Sequence, residues 1–188
     1  MAKQAKIFYD TEFLEDGKTI DLISIGMVNY MTGDTLYCVS NEFDTRRVAK
    51  NDWLMENVMS SIPHEQFVVT DFQGAPVVRD IYPTGPNVMS RNQIRLAIEH
   101  FVLGWWPDFW AWYGAYDHVA LCQLWGKMID LPKGMPMMTS DLKQLHKQLK
   151  NPEMPEQPDG KHNALDDAKF NVVRYEYLTK LMKESDGT

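Results

Sequence analysis

The sequence predicts a mixed α/β protein in which one sheet is flanked by helices. Three observations lead there. The first 40 residues alternate apolar and polar positions around two turn signals, as an antiparallel meander does. A helix–strand–helix alternation follows. No internal repeat, low-complexity tract or linker divides the 188 residues into two cores, so 1–188 is read as one domain. A chain of this length buries a substantial core without disulfides or a structural metal.

Residues 7–13 alternate as a strand: Ile7, Tyr9 and Thr11 point one way, Phe8, Asp10 and Glu12 the other. "EDGK" at 15–18 is a hairpin signal. Residues 20–30 make a second strand, with Gly26 at a bulge or a close contact. "MTGD" at 31–34 turns again, and 35–40 is a third strand. A helix is predicted over 44–61, stopped by Pro63, and 63–89 reads as mostly irregular with a short ribbon near 67–69. Ser90 and Gln93 form a capping box for a helix that closes at Gly104. A strand buried on both faces follows at 109–114, then helices at 117–125 and 140–149. The proline-rich stretch 151–160 is a loop, and Asn163 caps a last helix whose Ala164, Ala168, Val172, Tyr175 and Leu178 lie on one stripe. Four strands are read in this way.

Apolar residues make up 44% and charged residues 24%, as in a soluble globular protein. The formal net charge of −7 argues against a protein that grips nucleic acid by general electrostatics, but not against one whose carboxylates are neutralised by bound cations. Cys38 and Cys122 form no C-x-x-C pair, which removes the zinc-ribbon and thioredoxin readings. With no basic-then-apolar leader and no apolar run of spanning length, the expectation is a cytoplasmic protein without a membrane partner.

The stretch "FYDTEF" poses the functional question, because strand interiors disfavour Asp and Glu. Period two puts Asp10 and Glu12 on one face, where two like charges repel unless a divalent cation compensates them. "WYGAYDHVAL" places Asp117 in the first turn of a helix just past a strand that ends in glycine, where open α/β sheets bind ligands. In "GKHNALDDAKF", His162 precedes the cap of the last helix, Asp167 lies a turn inside it, and Ala164 and Ala168 would let that helix end approach a sheet closely. Taken singly, each has an ordinary reading: a solvated strand end, a helix N-terminal acid favoured by the dipole, a surface histidine.

Jointly they resemble the DEDD exonuclease superfamily in its DEDDh, DnaQ-like branch, which includes RNase T and oligoribonuclease. The wording of the three motifs is similar to that of small bacterial and phage exoribonucleases related to the mycobacterial polyadenylate-specific 3′-exoribonuclease, along nearly the whole chain. The resemblance implies an RNase H-like fold with a five-stranded mixed sheet, and the missing strand is placed at 137–139. It implies two divalent cations, Mg²⁺ or Mn²⁺, on Asp10, Glu12, Asp117 and Asp167, with His162 as general base. It also implies a substrate that is the 3′ end of RNA or single-stranded DNA, released as 5′-mononucleotides. Asp166 is taken as a capping acid.

Two cations about 4 Å apart can serve the attacking and leaving oxygens of an in-line displacement. Imidazole titrates near neutrality, which suits the base. Relatives carry Thr-Gly-Leu after the first motif, whereas this chain has Phe13, Leu14 and Glu15. Phe13 or Leu14 is expected to wedge against a base or to serve the core. Tyr113 and Tyr116 flank Gly114 and are the candidates for base stacking, while Trp105, Trp106, Trp110 and Trp112 are read as core. Arg46, Arg47, Lys50, Arg91 and Arg95 either touch phosphates or form solvated helix faces. A homodimer would suit the aromatic surplus. The competing readings are a catalytically silent RNase H-like binding module and a hydrolase for a different phosphoryl substrate.

Overall fold

The computed structural model describes residues 3–186. Its frame is a six-stranded sheet in the order β6-β3-β2-β1-β7-β8. The central strand β1 (Lys3–Glu15) pairs antiparallel with β2 (Ile20–Asn29), which pairs antiparallel with β3 (Thr35–Ser40), so the predicted meander is present. After β3 come β4 (His64–Thr70), β5 (Pro76–Pro83), β6 (Val88–Met89), β7 (Trp105–Ala111) and β8 (Ser140–Asp141). On the other side of β1, β7 and then β8 add in parallel, and β6 extends the far edge in parallel with β3.

Several boundaries differ from the sequence reading. The sheet has six strands rather than five, the extra one being the two-residue β6. The strand looked for at 137–139 is β8, displaced to Ser140–Asp141, because Asp141 ends it by capping the next helix through Lys143 N–H. The helix predicted over 44–61 is two short helices, α1 (Thr45–Val48) and α2 (Asp52–Asn57), followed by a 3₁₀ turn at Met59–Ser61. Asp44 and Asn51 each accept a backbone N–H three residues on, and this second cap restarts the helix. Residues 63–89 are not mostly irregular: β4 and β5 form a long antiparallel ribbon with a register shift between Phe67 and Val68.

The remaining helices are α3 (Arg91–Phe101), α4 (Ala115–Gln123), α5 (Leu142–Gln148) and α6 (Ala164–Asp186). The Ser90–Gln93 capping box is formed, and Asn163 Oδ1 accepts the N–H groups of Leu165 and Asp166 to cap α6. One face of the sheet, with Ala5, Ile7, Tyr9 and Phe109, packs on Ile94 and Ile98 of α3 and Ala120 and Leu121 of α4. The opposite face, with Phe8 and Val28, packs on Ala168 of α6 and Leu142 of α5. A third cluster joins Leu14, Ile23 and Val39 to α1, α2 and Ile81 of the ribbon.

Gly26 positions α6. A Cβ there would lie 2.3 Å from the carbonyl of Ala164 and the Cα of Leu165, so the start of the helix rests directly on the β2 backbone. Gly26 is the cross-strand partner of Asp10. The contact that lets the helix approach therefore also fixes what faces Asp10.

Candidate active site

Asp10, Glu12, Asp117, His162 and Asp167 line one pocket, together with Thr11, Phe13, Trp53, Trp112 and Arg174. Each arrives by a separate route. Asp10 and Glu12 project from alternate positions of β1, just before the register shift between Glu12 and Phe13. Asp167 is one turn into α6, on the helix end seated against Gly26. Asp117 comes from the first turn of α4, which a tight turn at Tyr113 (φ +58°) and Gly114 swings back under β7. Gly114 has no room for a side chain there, since a Cβ would lie 2.8 Å from that of Ala111.

Oxygens of Asp10, Glu12 and Asp167 lie within 4.8 Å of one another. Asp117 stands apart from this trio within the same pocket, its Oδ1 accepting the Thr11 N–H at 2.8 Å and the Thr11 hydroxyl at 2.7 Å. Burial pushes the Glu12 carboxyl up to about 8, reinforced by Asp167 and Asp117. Burial also holds Asp10 well above the usual carboxylate range, with Asp117, Glu12 and Asp167 adding repulsion. Asp117 rises to about 6 by burial, against the opposing pull of Thr11, and burial raises Asp167 as well. The trio forms no ion pair among the described residues. An all-oxygen donor set of crowded carboxylates fits a hard divalent cation.

His162 is held more firmly than its place before a helix predicts. Its backbone is left-handed (φ +62°), which costs a non-glycine residue about 1–2 kcal/mol. Its N–H donates to Asp167 Oδ2 at 2.8 Å, its carbonyl accepts the Ser61 hydroxyl at 3.3 Å, and its ring stands edge-on to Trp53 at 4.9 Å. Asp166 points elsewhere: it pairs with Lys169 at 3.0 Å and sits under Gly160.

The proposed substrate contacts divide. Phe13 lines the pocket and meets exposed Tyr116 edge-on at 6.1 Å. Tyr113 is exposed beside Trp112. Leu14 is buried in the third apolar cluster, the second of the two roles expected for it. Trp112 packs on the Phe8 cluster and also walls the pocket, and Trp106 is 47% exposed. Sequence reasoning passed over Thr11, Trp53 and Arg174. Arg174 carried a usable signal, since it lies seven residues after Asp167 on the same helix face. Trp53 carried none, being brought in from α2 only by the tertiary fold.

A mixed sheet flanked by helices, with carboxylates converging at its central strand, defines an α/β protein of the RNase H-like class. Residues 5–179 match the family described as the 3′-5′ exoribonuclease Rv2179c-like domain. Two proteins from different strains of Mycobacterium tuberculosis, named 3′-5′ exoribonuclease Rv2179c and 3′-5′ exoribonuclease MT2234.1, are each 41% identical to it over 177 residues, covering 93% of both chains. The chain belongs to this Rv2179c-like family.

Proposed function

We propose that the protein is a metal-dependent exonuclease that removes 5′-mononucleotides from the 3′ end of RNA. The observation that carries this reading is the Asp10–Glu12–Asp167 trio, crowded within 4.8 Å around the buried Glu12 in a way that suits a hard divalent cation, in a chain of the exoribonuclease family. In it, Asp10, Glu12, Asp167 and Asp117 hold two divalent cations, Mg²⁺ or Mn²⁺. When bound, such a pair acidifies a water and neutralises the leaving 3′-oxygen.

The side chains do the rest. His162 accepts the proton of the attacking water on an imidazole nitrogen, held at the pocket wall by the Trp53 edge and by the Asp167 contact to its own backbone. Thr11 occupies one oxygen of Asp117 and so fixes which oxygen remains for the cation. Phe13 and Tyr116, and exposed Tyr113 beside Trp112, offer aromatic surface on which a terminal base can stack regardless of its identity.

The test is a time course on 5′-labelled RNA and DNA oligomers of matched sequence, with a free or a blocked 3′ hydroxyl. The expected result is a ladder starting at the free 3′ end of the RNA, 5′-mononucleotide products, and arrest by chelator. His162→Ala is expected to retain metal binding and to lose about 10²–10⁴ in turnover. Wild-type protein that binds RNA and Mg²⁺ yet releases nothing would instead be the silent binding module. Release from DNA alone would change the substrate class.

A further inference from the structure

The five basic residues that the sequence offers for phosphate contact are poorly placed for it. Arg46 pairs with Asp80 at 3.2 Å, Arg47 with Asp16 at 2.9 Å, Arg95 with Glu99 at 2.6 Å, and Arg91 with Asp21. Lys50 is exposed and does not line the pocket. The cation that does line it is Arg174. Its guanidinium carbon lies 4.7 Å from the ring centre of Trp112 and 4.6 Å from that of Phe170. Its Nη1 donates to Asn171 Oδ1 at 2.8 Å, and the fully buried Asn171 donates in turn to the carbonyl of Tyr9, next to Asp10, at 3.1 Å. Lys143 lies outside the pocket lining but reaches the same Trp112 ring, 5.1 Å from its centre, with its Nζ 3.2 Å from His146 Nδ1.

An arginine packed against two rings and tied to the strand that carries Asp10 has already lost its rotamer freedom. Its remaining donors form a rigid planar fork suited to a phosphate. Its charge sits near Asp167 and Asp10 but closes no ion pair with them among the described residues, so the donors other than Nη1 are open to an incoming anion. We propose that Arg174 binds the phosphate of the nucleotide being released, and that Lys143, on the same tryptophan, takes the next phosphate along the strand. The RNA backbone then leaves the carboxylate pocket across Trp112. This also reconciles an acidic protein with a polyanionic substrate, because the attraction is local to one aromatic-held pair of cations.

The inference rests on the exoribonuclease reading. Its test uses adenosine 5′-monophosphate and adenosine as competing inhibitors of RNA digestion at saturating Mg²⁺. Wild-type protein is expected to prefer the monophosphate. Arg174→Gln should lose that preference about ten- to hundredfold, as removal of a charge-assisted hydrogen bond does, and Arg174→Lys should recover part of it. Lys143→Gln should keep the preference but lower the slope of log KM against log salt by about 0.7, one single-strand phosphate contact. A wild-type preference preserved in Arg174→Gln, or no preference in the wild type, overturns the role of Arg174. An unchanged salt slope in Lys143→Gln overturns the path over Trp112. If the wild type digests no RNA, the exoribonuclease reading itself has failed, which is a different result from either.

Discussion

The two faces of β1 follow opposite rules. Its odd-numbered face, with Ala5, Ile7 and Tyr9, is an ordinary apolar core against α3 and α4, and where it turns polar it is paired: Tyr9 Oη meets His118 Nδ1 at 3.2 Å, and Thr11 holds Asp117. Its even-numbered face starts the same way, with Phe8 against Tyr30, Trp110 and Tyr175, and then places Asp10 and Glu12 beside Asp167, where burial and mutual repulsion raise the carboxyls. One strand thus carries a stabilising surface and a destabilised one, separated only by the pleat. The difference teaches that residues contributing most to folding and residues contributing most to chemistry can alternate along a single element.

The sharpest way to break the contrast is to exchange what the faces do. Asp10→Asn removes one of the crowded carboxylates. It is expected to abolish digestion, a larger loss than the about 10²–10⁴ of a missing general base, while leaving the metal-free protein as stable as before or more so. On the other face, Ile7→Val is expected to lower stability by about 0.5–1.5 kcal/mol and to leave turnover per folded molecule unchanged. Thermal melts in chelator beside RNA digestion would check both. If Asp10→Asn melted lower than Ile7→Val, the even face would be a structural one.

The two faces also share a support. Gly26→Ala adds one methyl beneath α6, where backbone atoms of Ala164 and Leu165 already lie 2.3 Å from the Cβ position. The helix must move, at a cost of about 1–3 kcal/mol. Because the same helix end carries Asp167 and follows His162, turnover should fall as well. A variant with a lowered melting temperature and full activity would show that α6 shifts without disturbing the trio.

Much of this was legible in the sequence. The alternation of 7–13 predicts the two faces, Gly26 with Ala164 and Ala168 predicts the close approach, and Asn163 predicts where α6 begins; all are local signals, set by pleat, cap and side-chain size. What escaped depends on long-range convergence. Nothing near Trp53 says that α2 will bring it against His162, a contact between residues more than one hundred positions apart. The β4–β5 ribbon was hidden for another reason. Its strands expose Phe67, Val68, Val77 and Tyr82, so the in-out alternation that marks a half-buried strand is missing.

A pH dependence of stability is expected from the pocket carboxyls as well. Burial holds Glu12 at about 8 rather than 4.5, and Asp117 at about 6 rather than 3.8. With the folded value raised, the metal-free protein keeps a proton that the unfolded chain has released. The stability tied to Glu12 is therefore complete below about pH 4.5 and is lost as pH rises toward about 8. A divalent cation reverses that loss by stabilising the ionised carboxylates, so the rise in melting temperature on adding Mg²⁺ should grow from pH 5 to pH 8. Each kcal/mol corresponds to about 2–4 °C in a chain of this size. Glu12→Gln supplies the comparison: its metal-free melting temperature should fall less steeply with pH over the same range, because the group that releases its proton late is gone. Parallel curves for the two proteins would mean that Glu12 ionises like an exposed acid and that the pocket's charge is balanced from within the chain.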